Sequence, residues 1–208
     1  MSASSERSAQ LIRRLGVYLQ RDFVPMDVCE ALRREALAGS GSAAEIYVGE
    51  EGQVEPAVRK TLEIAVPDRL RVDLQARLDA IAPALSSHFG VALAGSEGVG
   101  FLLYERGGFY RPHRDRAARD GSAGGNQTFR RRVSVVVFLN GAADRPGPFE
   151  YAGGRLALYG LIDDPAWRDV GMPVDAEPGL LVAFDSATLH EVTPVTAGRR
   201  LTAVDWFY

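Results

Sequence analysis

Residues 99–115 read VGFLLYERGGFYRPHRD. Val99 to Tyr104 is a short β-rich run, Gly107-Gly108 turns the chain, and Phe109-Tyr110 begins another run. Short apolar runs separated by turn residues, with no helical spacing, are the pattern of strands. The pattern repeats to the C-terminus in Val133–Leu139, Arg155–Tyr159, Leu180–Phe184, Leu189–Val192 and Leu201–Phe207, and it predicts an antiparallel sandwich or barrel. Before Gly90 the period is different. Leu11, Ile12, Leu15 and Leu19 predict a helix over Ser8–Leu19, which Asp22-Phe-Val-Pro25 breaks. Pro25 then opens a second helix through Val28, Leu32 and Leu37 to Gly39. Glu45–Val48 reads as a strand. From Asp68 as cap to Phe89, Leu70, Leu74, Leu78, Ile81 and Leu85 mark one face of a third helix, with Pro83 as a point for a kink and Gly90 as its stop. The expected fold class is α+β, one domain over 1–208: a mainly helical support in 1–90 and a sheet core in 91–208.

Composition narrows the classes of function. The chain has 208 residues, 46% hydrophobic and 25% charged, enough to bury a core without disulfides. No run of eighteen apolar residues is present and Met1–Glu6 has no apolar stretch, so neither a membrane span nor a secretory signal is expected. The lone Cys29 can make no internal disulfide, which points to a cytoplasmic location. A net charge of −3 argues against a nucleic-acid partner. Lys60 is the single lysine among 24 basic residues, a bias that reads as genome composition.

Three histidines are present. His88, near the end of the long helix, reads as a surface charge. His113 and Asp115 are two apart, so on a strand they share a face. Alone, that pair reads more readily as a surface salt bridge or turn than as a metal site. His190, 75 residues beyond Asp115 and on another predicted strand, completes a set of two imidazoles and one carboxylate. Such a facial triad leaves open positions for a co-substrate and O2, which a closed four-ligand zinc site does not. On the last strand, alternation places Arg200, Thr202, Val204 and Trp206 on one face and Leu201, Ala203 and Asp205 on the other. An inward Arg200 needs an anionic partner. Two partners are open: a small dicarboxylate, or a chain carboxylate such as Asp205 or Asp185. Arg199 faces outward.

With these residues in place, 99–208 resembles the iron(II)/2-oxoglutarate-dependent dioxygenases, in their prolyl 4-hydroxylase-like branch. The run Tyr104-x-x-Gly107-x-x-Tyr110-x-x-His113-x-Asp115 resembles the branch's Y-x-x-G-x-x-Y-x-x-H-x-D. Arg131-x-x-Ser134-x-x-x-Phe138-Leu139-Asn140 resembles R-x-x-T-x-x-x-Y-L-N, and Gly153-Gly154 resembles the family's paired glycine. His190-x-x-x-Pro194-Val195-x-x-Gly198-x-Arg200, with Trp206 six residues further, resembles the distal motif. Phe138 and Ser134 depart from the usual tyrosine and threonine. The resemblance implies a double-stranded β-helix (jelly-roll) core. It implies Fe(II) on His113, Asp115 and His190, and 2-oxoglutarate with its distal carboxylate on Arg200, assisted by Tyr104 and Thr202. Tyr104 also fits a packed strand aromatic. O2 as oxidant, ascorbate as reductant, and succinate and CO2 as products are implied with them.

The implied activity is hydroxylation, first of prolyl residues in a protein or peptide. The alternatives are the same chemistry on a free amino acid or small metabolite, and a non-catalytic metal-binding barrel that senses. Arg116–Thr128 is the expected lid. Arg106, Arg111, Arg114, Arg116, Arg119, Arg130 and Arg132 read either as solvated charges or as a basic rim. Tyr151, Tyr159 and Trp167 either line a groove or pack the long loop from Ala142 to Val174.

Overall fold

Burial along the last strand explains how the sheets are layered. Strands are numbered along the chain. In β16 (Arg200–Phe207), Leu201, Ala203 and Phe207 pack into a core shared with the helices. Arg200, Thr202, Val204 and Trp206 face the opposite way, into the interior between two sheets. β9 (Val133–Phe138) does the same: Val133, Val135 and Val137 join the helical core, while Val136 and Phe138 join the inner one. β9, covered on both faces, reads VSVVVF and shows no hydrophobic alternation.

The computed structural model describes residues 15–48, 51–117 and 127–208. Its larger sheet has seven strands in the order β1 (Val17–Gln20), β13 (Leu181–Asp185), β9, β16, β7 (Gly100–Tyr104), β6 (Leu62–Ile64) and β2 (Gly41–Ala43). The facing sheet has five, β12 (Met172–Pro173), β11 (Leu156–Leu158), β14 (His190–Val192), β8 (Phe109–His113) and β5 (Arg59–Lys60). Two pairs complete the strands: β10 (Tyr151–Gly153) with β15 (Val195–Gly198), and β3 (Ile46–Val48) with β4 (Glu51–Gln53). Neighbouring strands run antiparallel, as a jelly roll requires.

Two helices cover the outer face of the larger sheet. α1 (Met26–Ala38) begins after Pro25, and α2 (Asp68–Phe89) ends on Gly90, whose φ of 64° supplies the left-handed cap. The α2 cap position is Pro67, so Asp68 acts instead as an acid in the first turn, favoured by the helix dipole. Leu70, Leu74, Leu78 and Leu85 of α2 are buried against the sheet, each worth about 1.5–3 kcal/mol relative to exposure. Buried Asp205 ties helix to sheet. It accepts from the Gly98 amide at 3.0 Å, the Trp206 amide at 2.7 Å and Gln75 Nε2 at 3.0 Å, while Gln75 Oε1 accepts from the Val99 amide. Among the described residues no helix is long and apolar enough to cross a membrane.

Three expectations need correction. Val17–Leu19 of the predicted first helix belongs to the edge strand β1, paired with β13; Gly16, at φ 71°, breaks a helix there, and residues 8–14 lie outside the described residues. Residues 41–64 are not helical support: β2 and β6 extend the larger sheet and β5 extends the smaller. The stretch from Ala142 to Val174, read as a long loop around the expected strand at 155–159 (β11), also contains β10 and β12. Residues 118–126 of the expected lid lie outside the described residues.

Candidate active site

Strand register builds the candidate metal cluster. β8 ends at His113, β14 starts at His190, and the two are directly paired. Their rings stand 4.1 Å apart between centroids. Asp115 follows two residues later, with Oδ1 3.5 Å from His113 Nε2 and Oδ2 3.6 Å from His190 Nε2. One donor atom from each of the three lies within 4.8 Å of the others. The outer ring nitrogens are already engaged: His113 Nδ1 with the Arg111 carbonyl at 2.8 Å and His190 Nδ1 with the Thr188 carbonyl at 2.9 Å. Because a carbonyl only accepts, each Nδ1 carries the hydrogen, and each Nε2 lone pair faces Asp115.

The protonation states suit a cation. Burial lowers the His190 pKa to about 4 against the opposing pull of Asp115, so the ring is neutral at physiological pH. Burial acts to raise Asp115, but His190, which carries a charge at the low pH where this carboxyl would take a proton, and the adjacent His113 outweigh it and hold the carboxyl below the usual range. One anionic oxygen and two imidazole nitrogens form the donor set of a facial triad, and Fe(II) fits it. Tyr110 stacks on His113 at 3.4 Å and 17°.

Arg200 is 1% exposed. Its guanidinium lies 4.9 Å from the Tyr104 ring and 5.2 Å from the Phe138 ring, and Nη1 donates to Thr202 Oγ1 at 3.3 Å. Nε has no partner, and no carboxylate of the described residues pairs with the side chain. Both chain carboxylates considered for it are elsewhere: Asp185 pairs with Arg116 at 3.1 Å, and Asp205 faces the helices. The hydroxyl of buried Tyr151 also lacks a partner; burial raises its pKa and the neighbouring Arg200 charge opposes the rise. A buried cation without an anion is costly, so this cradle fits a ligand carboxylate. Gly154 makes the close approach possible. Its φ is 56°, and a Cβ there would stand 2.8 Å from Val195 Cγ2 and 3.1 Å from Arg200 Cδ.

One cavity of about 640 Å³ joins these groups: Tyr104, His113, Asp115, His190, Arg200 and Thr202 all line it. Residues without a role in the sequence reading join them. Arg131 pairs with Glu97 at 2.6 Å, lies 4.0 Å over Trp206 and donates to the Asp115 carbonyl at 3.4 Å. Tyr110 and Arg131 were visible only as letters within motifs, and Glu97 gave no signal at all. Of the arginines read as a rim, Arg111 bonds the Ala57 carbonyl, Arg114 the Ala187 carbonyl and Arg116 the Asp185 carboxylate, so the chain's own groups hold them. Arg119 lies outside the described residues. Tyr159 donates to the Glu191 carboxylate, Trp167 is exposed, and Arg199 is exposed as expected.

Comparison with known proteins agrees with this geometry. Over 106 residues the chain is 35% identical to PKHD-type hydroxylases of Gloeothece citriformis (strain PCC 7424) and Stenotrophomonas maltophilia (strain K279a). The alignment takes in 51% of this chain and 40% of each relative, so it spans about two-fifths of their length. In structure the chain is similar to a Pseudomonas putida prolyl-4-hydroxylase, with a TM-score of 0.67 and 26% identity over 97% of both chains. It shares its fold with a Trichoplax adhaerens prolyl hydroxylase solved with a hypoxia inducible factor peptide fragment, at TM-score 0.68 and 18% identity, covering 100% of this chain and 94% of that one. Residues 99–208 match the model of the 2OG-Fe(II) oxygenase superfamily, and the chain belongs to that family.

Proposed function

We propose that this chain is a 2-oxoglutarate- and Fe(II)-dependent hydroxylase acting on prolyl residues of a protein or peptide, with succinate and CO2 as co-products. One observation carries the reading: a His-Asp-His cluster and a buried arginine without an acidic partner share a single cavity. In this reading Fe(II), 2-oxoglutarate and O2 supply the oxidising chemistry when bound. The chain supplies position and polarity. His113, Asp115 and His190 hold the metal, and the Nδ1 hydrogen bonds to Arg111 and Thr188 fix both rings. Arg200 takes the distal carboxylate, with Thr202 beside it and Tyr104 packed against the guanidinium. Phe138 lacks the hydroxyl of the usual tyrosine. Trp206 lines the cavity and offers ring surface to a pyrrolidine.

Likeness to prolyl hydroxylase structures supports the choice of prolyl substrate. The test is anaerobic loading with Fe(II), addition of 2-oxoglutarate, O2 and proline-containing peptides, and mass spectrometry of peptide and succinate together. A gain of one oxygen on proline, absent in His190→Ala, is expected. Oxidation confined to free amino acids or other metabolites would overturn the prolyl assignment, and no succinate from the metal-loaded protein would overturn the enzyme assignment.

A further inference from the structure

Four arginines among the described residues line the cavity: Arg59, Arg71, Arg131 and Arg200. Arg71 is paired with Asp68 at 2.9 Å and Arg131 with Glu97. Arg200 is the co-substrate anchor in the reading above. Arg59 remains, and it comes from outside the stretch that matches the family. It lies on β5, directly across from Tyr110 on β8. Its guanidinium carbon is 4.8 Å from the Tyr110 ring, which is itself stacked 3.4 Å from His113. These two spacings together keep the guanidinium within about 8 Å of the His113 ring.

The Arg59 side chain is held but not neutralised. Nη1 donates to the Glu45 carbonyl at 2.8 Å, and one face covers Tyr110. Nε is buried without a hydrogen-bond partner. No carboxylate of the described residues comes within ion-pairing distance, although Glu45 and Glu63 line the same cavity. A guanidinium fixed in orientation, with donors free and no counter-charge, is pre-organised for a carboxylate.

We propose that Arg59 forms a subsite for a substrate carboxylate carried one or two residues from the oxidised position. An extended peptide advances about 3.3 Å per residue, so such a group lies within the distance bound above. The substrate class is thereby narrowed to prolyl peptides with an acidic flank or a nearby C-terminal carboxylate. Which residue is oxidised rests on the proposed function; docking of the acid does not.

The test is equilibrium binding of fluorescent peptides with a fixed central proline. The flanking positions carry Asp or Glu in one set, Asn or Gln in a second, and a free or amidated C-terminus beside the proline in a third. Metal-loaded protein with 2-oxoglutarate, held without O2, should bind the acidic set, or the free carboxylate, about tenfold more tightly than the neutral counterpart. Arg59→Gln should abolish that preference, and Arg59→Lys should keep part of it while preserving the charge. High salt should erode the preference in the unmodified protein, a readout that needs no variant to fold. No preference in the unmodified protein, or the same preference in Arg59→Gln, overturns the subsite. Admitting O2 separates the two claims. Acidic peptides that bind through Arg59 yet gain no oxygen count against the proposed function alone. Peptides oxidised equally well whatever their flank count against the subsite alone.

Discussion

Replacing Arg200 by Met removes the charge while keeping an unbranched chain in the cavity. Two consequences of opposite kind follow from its burial without an acidic partner. In the ligand-free protein no satisfied ion pair is broken. The lost ring and Thr202 contacts are offset by relief of an uncompensated buried charge, so stability should move by no more than about 1 kcal/mol. In the 2-oxoglutarate complex the same change strips a buried carboxylate of its partner, at a cost of about 2–5 kcal/mol, or at least about 30-fold in Kd. Thermal unfolding with Fe(II) under argon reads both effects. At a ligand concentration 100 times the unmodified protein's Kd, linkage adds about 2.7 kcal/mol, about 5–10 °C for a chain of this length. A 30-fold weaker variant at that concentration gains only about 0.9 kcal/mol, about 2–3 °C. Equal ligand-induced shifts in both proteins would refute the anchor role. A loss of about 3–5 kcal/mol in ligand-free Arg200→Met would refute the claim that the side chain lacks an internal counter-ion.

Further outcomes can be checked on the purified protein. Gly154→Ala should lower stability in urea by about 2–3 kcal/mol and weaken 2-oxoglutarate binding, because its Cβ meets Val195 and Arg200 at a positive φ. Gly160→Ala, at φ 67° with open space around it, should cost only about 1 kcal/mol. Asp205→Ala leaves the Gly98 and Trp206 amides without their acceptor and should cost about 2–5 kcal/mol by urea titration. Burial raises the Asp205 pKa, so the folded state binds that proton more tightly than the unfolded chain; the penalty should grow as pH falls through the raised pKa toward 3.8. Cys29 is buried and its thiol is pushed up to about 11, so a disulfide reagent at pH 8 should fail on the native protein and react fully in urea.

Local order and short-range pattern were legible in the chain itself. The α2 boundaries follow from leucine spacing between Pro67 and Gly90, and the inward set on β16 follows from strict alternation. His113, Asp115 and His190 stood out because two imidazoles and a carboxylate at strand spacing have few other uses. Alternation set Asp205 on the face opposite Arg200, but it could not choose between a ligand and a carboxylate from another element such as Asp185, which is placed by the packing of whole elements. Only the folded chain turns Asp205 toward Gln75 and pairs Asp185 with Arg116. The contributions of residues 41–64 were hidden for a related reason. Two- and three-residue strands have no period to read, and they exist because β7 and β8 offer them edges. Side-chain type and spacing thus determined what chemistry the chain can perform. Long-range strand pairing, which joins residues some fifty to eighty positions apart through backbone hydrogen bonds indifferent to side-chain identity, decided which groups meet, and it alone set Arg59 beside Tyr110 and His113 beside His190.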